Sequence, residues 1–276
     1  MTSQPIGTRE HPPQGAAKIG GSQPYPNGIS YHGGPIITAG THIYYVWYGN
    51  WSGDPATSIL TTLGNSIGGS PYFNINTTYF NGAGVHVLNS VLLSGQTGAT
   101  SANYKYGTAL TDANVQSIVS DALSSGVVPP DAQGVYFVLT SADVHETSGF
   151  CTKYCGWHTH YQWNGHDIKY AFVGDADKQC PSACEEQTTT SPNGDPGADG
   201  MASVIAHELE EATTDPDLNA WYDQRGYENA DKCAWTFGTT YPAGNGSIAN
   251  MSLGGSNFLI QQNWVNASGG YCALSY

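Results

Sequence analysis

Positive charge is scarce along this chain. Eight Lys and Arg residues stand against 22 Asp and Glu residues, and the formal net charge is −14. A surface of this sign repels phosphate backbones and anionic bilayers, so we expect neither nucleic acids nor membranes as partners. Long apolar runs are also missing, since no stretch approaches the roughly 18 residues of a membrane span. The sequence therefore does not predict a membrane protein.

Charge of either sign is low. Only 11% of the 276 residues are charged, against roughly 25% in a typical globular chain. Disordered chains usually combine high charge with few aromatic residues, and the 12% aromatic content argues against disorder. The length is sufficient for one large domain with a sizeable core, and we expect a monomer.

Cysteine is present in an even number, six. The first four lie close together in the sequence as Cys151 with Cys155 and Cys180 with Cys184. Such spacing in an acidic, lysine-poor chain favours three disulfides formed in an oxidising compartment. The alternative is a zinc site of four thiolates, which usually has C-x2-C spacings. The spacing leaves the pairing open, and it predicts a secreted, extracellular protein.

The order of predicted elements indicates the fold class. Residues 1–28 are rich in Gly, Pro and Gln without any period, which predicts an extended N-terminal arm. No linker divides residues 29–276, so we expect a single α/β (α+β) domain there, with a mixed twisted sheet and flanking helices. The patterns predict strands at 41–48, 85–91, 134–140, 169–174, 235–237 and 258–261, helices at 55–67, 111–126 and 199–214, and a loop over 145–166.

The last of these helices carries the most informative motif. His207 and Glu211 are four residues apart, so their side chains lie one above the other on one face, with Glu208 beside them. This is the spacing of the zinc motif H-E-x-x-H with Glu in place of the second His. A carboxylate also ligates zinc, and it makes calcium or manganese more compatible with the site. The motif predicts a divalent cation on a zincin-like helix, with zinc first and calcium as the alternative or addition.

The charge around the motif supports a cation. Residues 179–224 contain no Lys or Arg, and the same 46 residues contain ten acidic side chains. Partly buried carboxylates without basic partners are costly, and a divalent cation relieves that cost. The alternative interpretation is an acidic helix face that is solvated by water.

A catalytic zinc site needs a third protein ligand. Glu228 is our first choice, because some zinc proteases take a downstream Glu as their third ligand. Asp217 is the second choice, because it lies ten residues after His207, where the metzincin pattern has its last ligand. The alternatives that stay open are Asp215, Asp223, Asp231 and His145.

Several short segments resemble one known family. They are ISYHGGPI (29–36), IYYVWYGN (43–50), LTSADVH (139–145), GFC (149–151), CGWH (155–158), QCPSAC (179–184) and PNGD (192–195). Together they are similar to the EXORDIUM or phosphate-induced protein 1 family of secreted plant proteins and their bacterial relatives. The resemblance spans about residues 29–276 and implies an extracellular protein, often linked to cell walls. It includes His207, Glu208 and Glu211, as well as Glu228 before Cys233.

These observations predict a secreted zinc-dependent hydrolase, most simply a metallopeptidase acting on peptides or proteins, with cell-wall material as a further partner. His207, Glu211 and Glu228 would hold the ion, and Glu208 would accept a proton from water. His145 and His158 could add ligands or hydrogen-bond donors if their loop folds over the helix. The alternative is a non-enzymatic cell-wall or glycan-binding protein with a structural metal site.

Overall fold

The computed structural model describes residues 28–276, so the predicted N-terminal arm lies almost entirely outside the described residues. The helices are α1 (Ala56–Ser66), α2 (Asp112–Ser124), α3 (Pro181–Cys184) and α4 (Pro196–Thr214), with 3-10 helices at Phe73–Thr78 and Asp231–Cys233. The strands are β1 (Ser30–Tyr31), β2 (Thr41–Tyr48), β3 (Val91–Gln96), β4 (Ala109–Leu110), β5 (Gly134–Thr140), β6 (His145–Glu146), β7 (Gly156–Trp163), β8 (His166–Gly174), β9 (Trp221–Tyr222), β10 (Tyr241–Pro242), β11 (Ile248–Ala249), β12 (Met251–Leu253), β13 (Ser256–Phe258), β14 (Asn263–Val265) and β15 (Tyr271–Ala273).

A five-stranded sheet forms the centre of the domain, in the order β3-β2-β5-β8-β7. The first four strands are parallel, and β7 joins the edge antiparallel to β8. Every residue of β5 is buried, as expected for a parallel strand covered on both faces. The predicted α/β class with a mixed sheet in a single domain is therefore confirmed.

Helices cover the two faces of this sheet. On one face, the hydroxyl of Tyr45 in β2 donates to the carbonyl of Leu60 in α1, and α1 packs against α4. On the other face, Tyr161 of β7 makes a hydrogen bond with Ser120 of α2. Because side chains alternate along a strand, His158 of β7 faces the α4 side of the sheet. This alternation brings a polar strand residue to the long helix.

Four of the predicted elements are wrong. The strand predicted at 258–261 is one of them, because β13 ends at Phe258 and residues 259–262 are irregular. Residues 85–91 are not a strand, because Val85 and Leu88 are exposed and regular pairing starts only at Val91. Residues 235–237 are not a strand either, since Trp235 has a φ of +60°, which breaks extended pairing. The loop predicted over 145–166 contains β6 and β7, whose His, Thr and Gln residues conceal the strand pattern.

Three disulfides link the described part of the chain, as predicted. Cys151 pairs with Cys180 and Cys155 pairs with Cys184, which ties the start of β7 to α3. Cys233 pairs with Cys272, which ties the second 3-10 helix to β15. Within residues 28–276, no helix has both the length and the apolar character needed to cross a bilayer.

Candidate metal centre

Helix α4 lies in the interior of the domain. The side chain of Asp195 caps its first turn by accepting a hydrogen bond from the amide of Ala198, and Pro196 follows at the first helical position. All residues from Gly197 to Thr214 are buried, because β5, β7, β8, α1 and the 3-10 helix Phe73–Thr78 surround the helix. The acidic side chains of this helix therefore do not form a solvated face.

The first group of candidate ligands contains both members of the i, i+4 pair. His207 Nε2 lies 2.9 Å from Glu211 Oε1 and 3.6 Å from Asp231 Oδ1. The backbone amide of Asp231 also donates a hydrogen bond to Glu211 Oε1, at 2.8 Å. One imidazole and two carboxylates thus converge at distances that suit a single divalent ion.

The second group lies against the same helix from the side of β7. His158 Nδ1 is 3.4 Å from Glu208 Oε2 and 3.9 Å from Glu211 Oε2. His158 Nε2 is 3.9 Å from Glu228 Oε1 and 3.3 Å from the carbonyl oxygen of Asp215. Glu211 belongs to both groups, because its two oxygens face the two histidines.

Several carboxylate oxygens of this centre have no hydrogen bond. Among residues 28–276, neither oxygen of Glu208, nor Oε2 of Glu211, nor Oε1 of Glu228 accepts a well-formed hydrogen bond, and all of them are inaccessible to solvent. Leaving a buried carboxylate without partners costs several kcal/mol or forces its protonation. The donor set of carboxylates and imidazoles therefore fits a divalent cation.

Protonation equilibria in the cluster show the same excess of negative charge. Burial, followed by the charge of Glu211, raises the pKa of Glu208 to about 7, although His158 and His207 oppose the shift. Burial, with the charge of Asp231, raises the pKa of Glu228 well above its usual range. Burial and Glu211 raise the pKa of Asp231 to about 6. Each of these shifts favours the neutral form of the carboxyl group, as expected where buried negative charges are crowded together.

The conserved region of phosphate-induced protein 1 matches residues 29–263. The chain belongs to the phosphate-induced protein 1 family. The family resemblance expected from the short motifs is therefore confirmed.

Curated relatives of this family member come from plants. It is 33% identical to Protein EXORDIUM-like 5 of Arabidopsis thaliana, over 86% of this chain and 75% of the relative. It is 32% identical to Protein EXORDIUM-like 3 of the same plant, over 91% of this chain and 83% of the relative. Protein PHOSPHATE-INDUCED 1 of Nicotiana tabacum is 23% identical over 83% of this chain and 80% of its own length. No solved structure matches the chain at a significant level. The plant relatives and the disulfides are compatible with an extracellular protein.

The structure places Glu228 and Asp217 in different surroundings. Glu228 borders the buried centre through His158. Asp217 follows the end of α4 and lies with His160 and Asp167, at 3.6 Å from His160 Nδ1. That separate group is only partly buried, and Lys169 already pairs with Asp167 at 2.7 Å.

The other open alternatives already have partners of their own. Asp215 accepts hydrogen bonds from the backbone amides of Asn219 and Ala220. Asp223 accepts hydrogen bonds from the amides of Arg225 and Tyr227 and lies 3.3 Å from Lys232 Nζ. His145 is exposed and forms a hydrogen bond with Gln179.

Asp231 and His158 lie beside the helix pair, although the sequence patterns placed neither of them first or second as third ligand. Asp231 was one of four open alternatives for the third ligand, and it is the acid that meets His207. Its position two residues before Cys233, in a segment held by a disulfide, is the available sequence signal. His158 also lies close to a disulfide cysteine, Cys155. Its side chain faces α4 because side chains alternate along β7.

Proposed function

We propose that this protein is a metal-dependent hydrolase, a peptidase in the simplest case, whose ion is held by His207, Glu211 and Asp231. The observation that carries the proposal is the row of solvent-inaccessible carboxylate oxygens without hydrogen-bond donors beside the His207–Glu211 pair. Nitrogen and carboxylate ligands in this number are typical of catalytic zinc, which binds them at about 2.0–2.2 Å. Asp231 replaces Glu228 as the preferred third ligand, because its carboxylate lies nearer to His207.

Glu208 is the proposed proton carrier of the reaction. Held by His207, Glu211 and Asp231, a divalent cation would lower the pKa of a bound water molecule and polarise the carbonyl group of the substrate. Glu208 accepts a proton from the attacking water as the water oxygen bonds to the carbonyl carbon. It then gives this proton to the leaving amine as the carbon–nitrogen bond breaks. Its carboxylate oxygens suit this role because neither accepts a well-formed hydrogen bond from the described residues.

The substitution Glu208→Gln tests this mechanism. We expect peptide hydrolysis to fall by at least about 100-fold, the usual contribution of a general base. The ion at His207, Glu211 and Asp231 should stay bound, because Glu208 is not one of its ligands. Peptide-library digestion and elemental analysis of the purified protein measure both properties. Glu210→Gln is the matched control, since Glu210 is equally buried on the same helix but bonds to Asn263. Full activity of Glu208→Gln contradicts the mechanism.

A second candidate function is a structural metal site in a non-enzymatic cell-wall or glycan-binding protein. The burial of the whole centre favours it, because His158, His207, Glu208 and Glu211 have no exposed surface. A structural ion needs no path for substrate, whereas a catalytic ion does. In that case a chelator lowers the melting temperature, and no peptide in a library is cleaved with or without zinc.

We also propose that the protein is secreted. All six cysteines are paired, and three disulfides persist in oxidising compartments rather than in the cytosol. Recovery of the oxidised protein from the extracellular fraction of the producing cells supports this localisation. Recovery of a reduced protein from the cytosol alone contradicts it.

A further inference from the structure

We propose that the centre binds a second divalent cation, at His158, Glu208 and Glu211, and that this ion inhibits the enzyme by occupying Glu208. The proposal rests on the function proposed above. The three ligand atoms lie within 4.8 Å of one another and come from β7 and from two positions on α4. Both oxygens of Glu208 are buried and accept no well-formed hydrogen bond from the described residues, and the nitrogen that lies 3.4 Å from Oε2 is the proposed ligand atom of His158 itself.

Charge balance supports a second ion. Four buried or nearly buried carboxylates, those of Glu208, Glu211, Glu228 and Asp231, surround the two histidines. One divalent cation balances only two of them. Without a second cation, the other two must take up protons or remain as uncompensated charges in a medium of low dielectric constant.

Glu211 provides the link between the two sites. Its Oε1 faces His207 and Asp231, and its Oε2 faces His158. A carboxylate with one oxygen toward each site suits a pair of ions, and paired metals in hydrolases lie about 3.5–4 Å apart. The two groups of ligands are therefore neighbouring halves of one centre.

The spacing of the ligand atoms predicts different affinities. Ligand atoms around a tetrahedral zinc ion lie about 3.3 Å apart, given bonds near 2 Å. The first group has separations of 2.9 and 3.6 Å from His207, whereas the second has 3.4 and 3.9 Å from His158. The second group must contract further around an ion, so we expect it to fill only after the first.

Occupancy of the second site has a direct chemical consequence. A Glu208 carboxylate bound to a cation is a much weaker base, because the positive charge stabilises its ionised form and opposes transfer of the proton from the attacking water. Hydrolysis should therefore rise as the first ion binds and fall as the second binds. Inhibition by the second ion should therefore depend on His158 and Glu208. Activation by the first ion should depend on its ligands His207, Glu211 and Asp231.

Zinc titration of the whole protein, followed by calorimetry and elemental analysis, tests the second site. We expect His158→Gln and Glu208→Gln each to bind one zinc ion fewer than the wild type at saturation. His166→Gln, the same change at an exposed histidine of β8, should bind as many ions as the wild type. Circular dichroism verifies that each variant is folded, and the two variants provide independent tests if one is not.

The outcomes separate this inference from the proposed function. If both folded variants bind as many ions as the wild type, the second site is overturned while the first remains. If the wild type binds no zinc, both proposals are overturned. In activity assays we expect high zinc to inhibit the wild type at least about tenfold, and His158→Gln to lose this inhibition. Equal inhibition of both proteins contradicts the assignment.

Discussion

At the scale of single residues, the centre depends on which neighbour each side chain of one helical turn contacts. His207 and Glu211 contact each other directly, whereas Glu208 faces His158 on the neighbouring strand. The helical spacing sets this division. Residues four apart, such as His207 and Glu211, share a face, whereas Glu208 directly follows His207 and points to one side of that face. The proposed ligand pair and the proposed base are thus separated by the geometry of the helix itself.

The choice of third ligand gives a prediction at this scale. We expect Asp231→Asn to weaken zinc binding at the first site by more than about tenfold, because a neutral amide replaces a charged ligand. Glu228→Gln should leave that affinity nearly unchanged, since Glu228 borders His158 rather than His207. Asp223→Asn is the control, because Asp223 pairs with Lys232. Isothermal titration with zinc measures all three, and the reverse order for Asp231 and Glu228 contradicts the assignment.

At the scale of elements, the centre requires α4 and β7 to approach closely. Gly156 is the first residue of β7, and a Cβ atom there would lie 2.5 Å from Val204 Cγ1 and 3.1 Å from Glu208 Oε1. It would also lie 2.9 Å from the backbone carbonyl of Phe172. Only glycine fits this contact without displacing the helix from the sheet.

The corresponding prediction is that Gly156→Ala both destabilises the fold and weakens the site. Overpacking of this kind costs about 1–3 kcal/mol in the free energy of unfolding. Zinc affinity should fall as well, because α4 moves relative to His158. Gly98→Ala is the matched control, since no atom lies within 4 Å of a Cβ there. Urea unfolding with and without zinc measures both effects, and equal stability of the two variants would disprove the close contact.

The elements also show which parts of this structure are predictable from sequence. Strands β2 and β5 are continuous runs of β-branched and aromatic residues, and α4 has a clear 3.6-residue period, so local patterns suffice for them. Strand β7 alternates His, Thr and Gln with aromatic residues, and its identity depends on pairing with β8. The i, i+4 pair is likewise a local feature. His158 and Asp231 join it only through tertiary packing, which no spacing rule contains.

At the scale of the whole molecule, the centre is formed by three segments that are distant in the sequence: α4, the start of β7 and the second 3-10 helix. A disulfide lies close to each of the last two. Cys155 lies three residues before His158, and Cys233 lies two residues after Asp231. Each crosslink limits how far its segment can move in the unfolded chain. The disulfides therefore favour the folded arrangement of the two segments that bring His158 and Asp231 to α4.

A second acidic cluster near the start of α4 predicts how stability depends on pH. Burial, with the charges of Asp177, Asp175 and Asp195, raises the pKa of Glu185 to about 8. Burial, with the charges of Asp195, Asp54 and Asp177, raises the pKa of Asp175 to about 7. The folded protein thus holds protons that the unfolded chain releases from about pH 4 upward.

The contribution of these two groups is fully present below about pH 4, declines as the pH rises, and is completely lost once the pH exceeds the folded pKa values of about 7 and about 8. We expect Glu185→Gln to raise the melting temperature at pH 8 and to change it little at pH 4. Calorimetric scans of the variant and the wild type across this range provide the measurement. Parallel curves for the two proteins would contradict the raised pKa of Glu185.

The central claim is that His207, Glu211 and Asp231 bind a divalent cation, and a crystallographic anomalous-scattering map tests it most directly. Crystals grown with zinc should show a peak about 2.0–2.2 Å from His207 Nε2, Glu211 Oε1 and Asp231 Oδ1. Collecting data on both sides of the zinc absorption edge identifies the element. If no peak lies within bonding distance of His207 after soaking in zinc, and the carboxylates keep their positions, the account is contradicted.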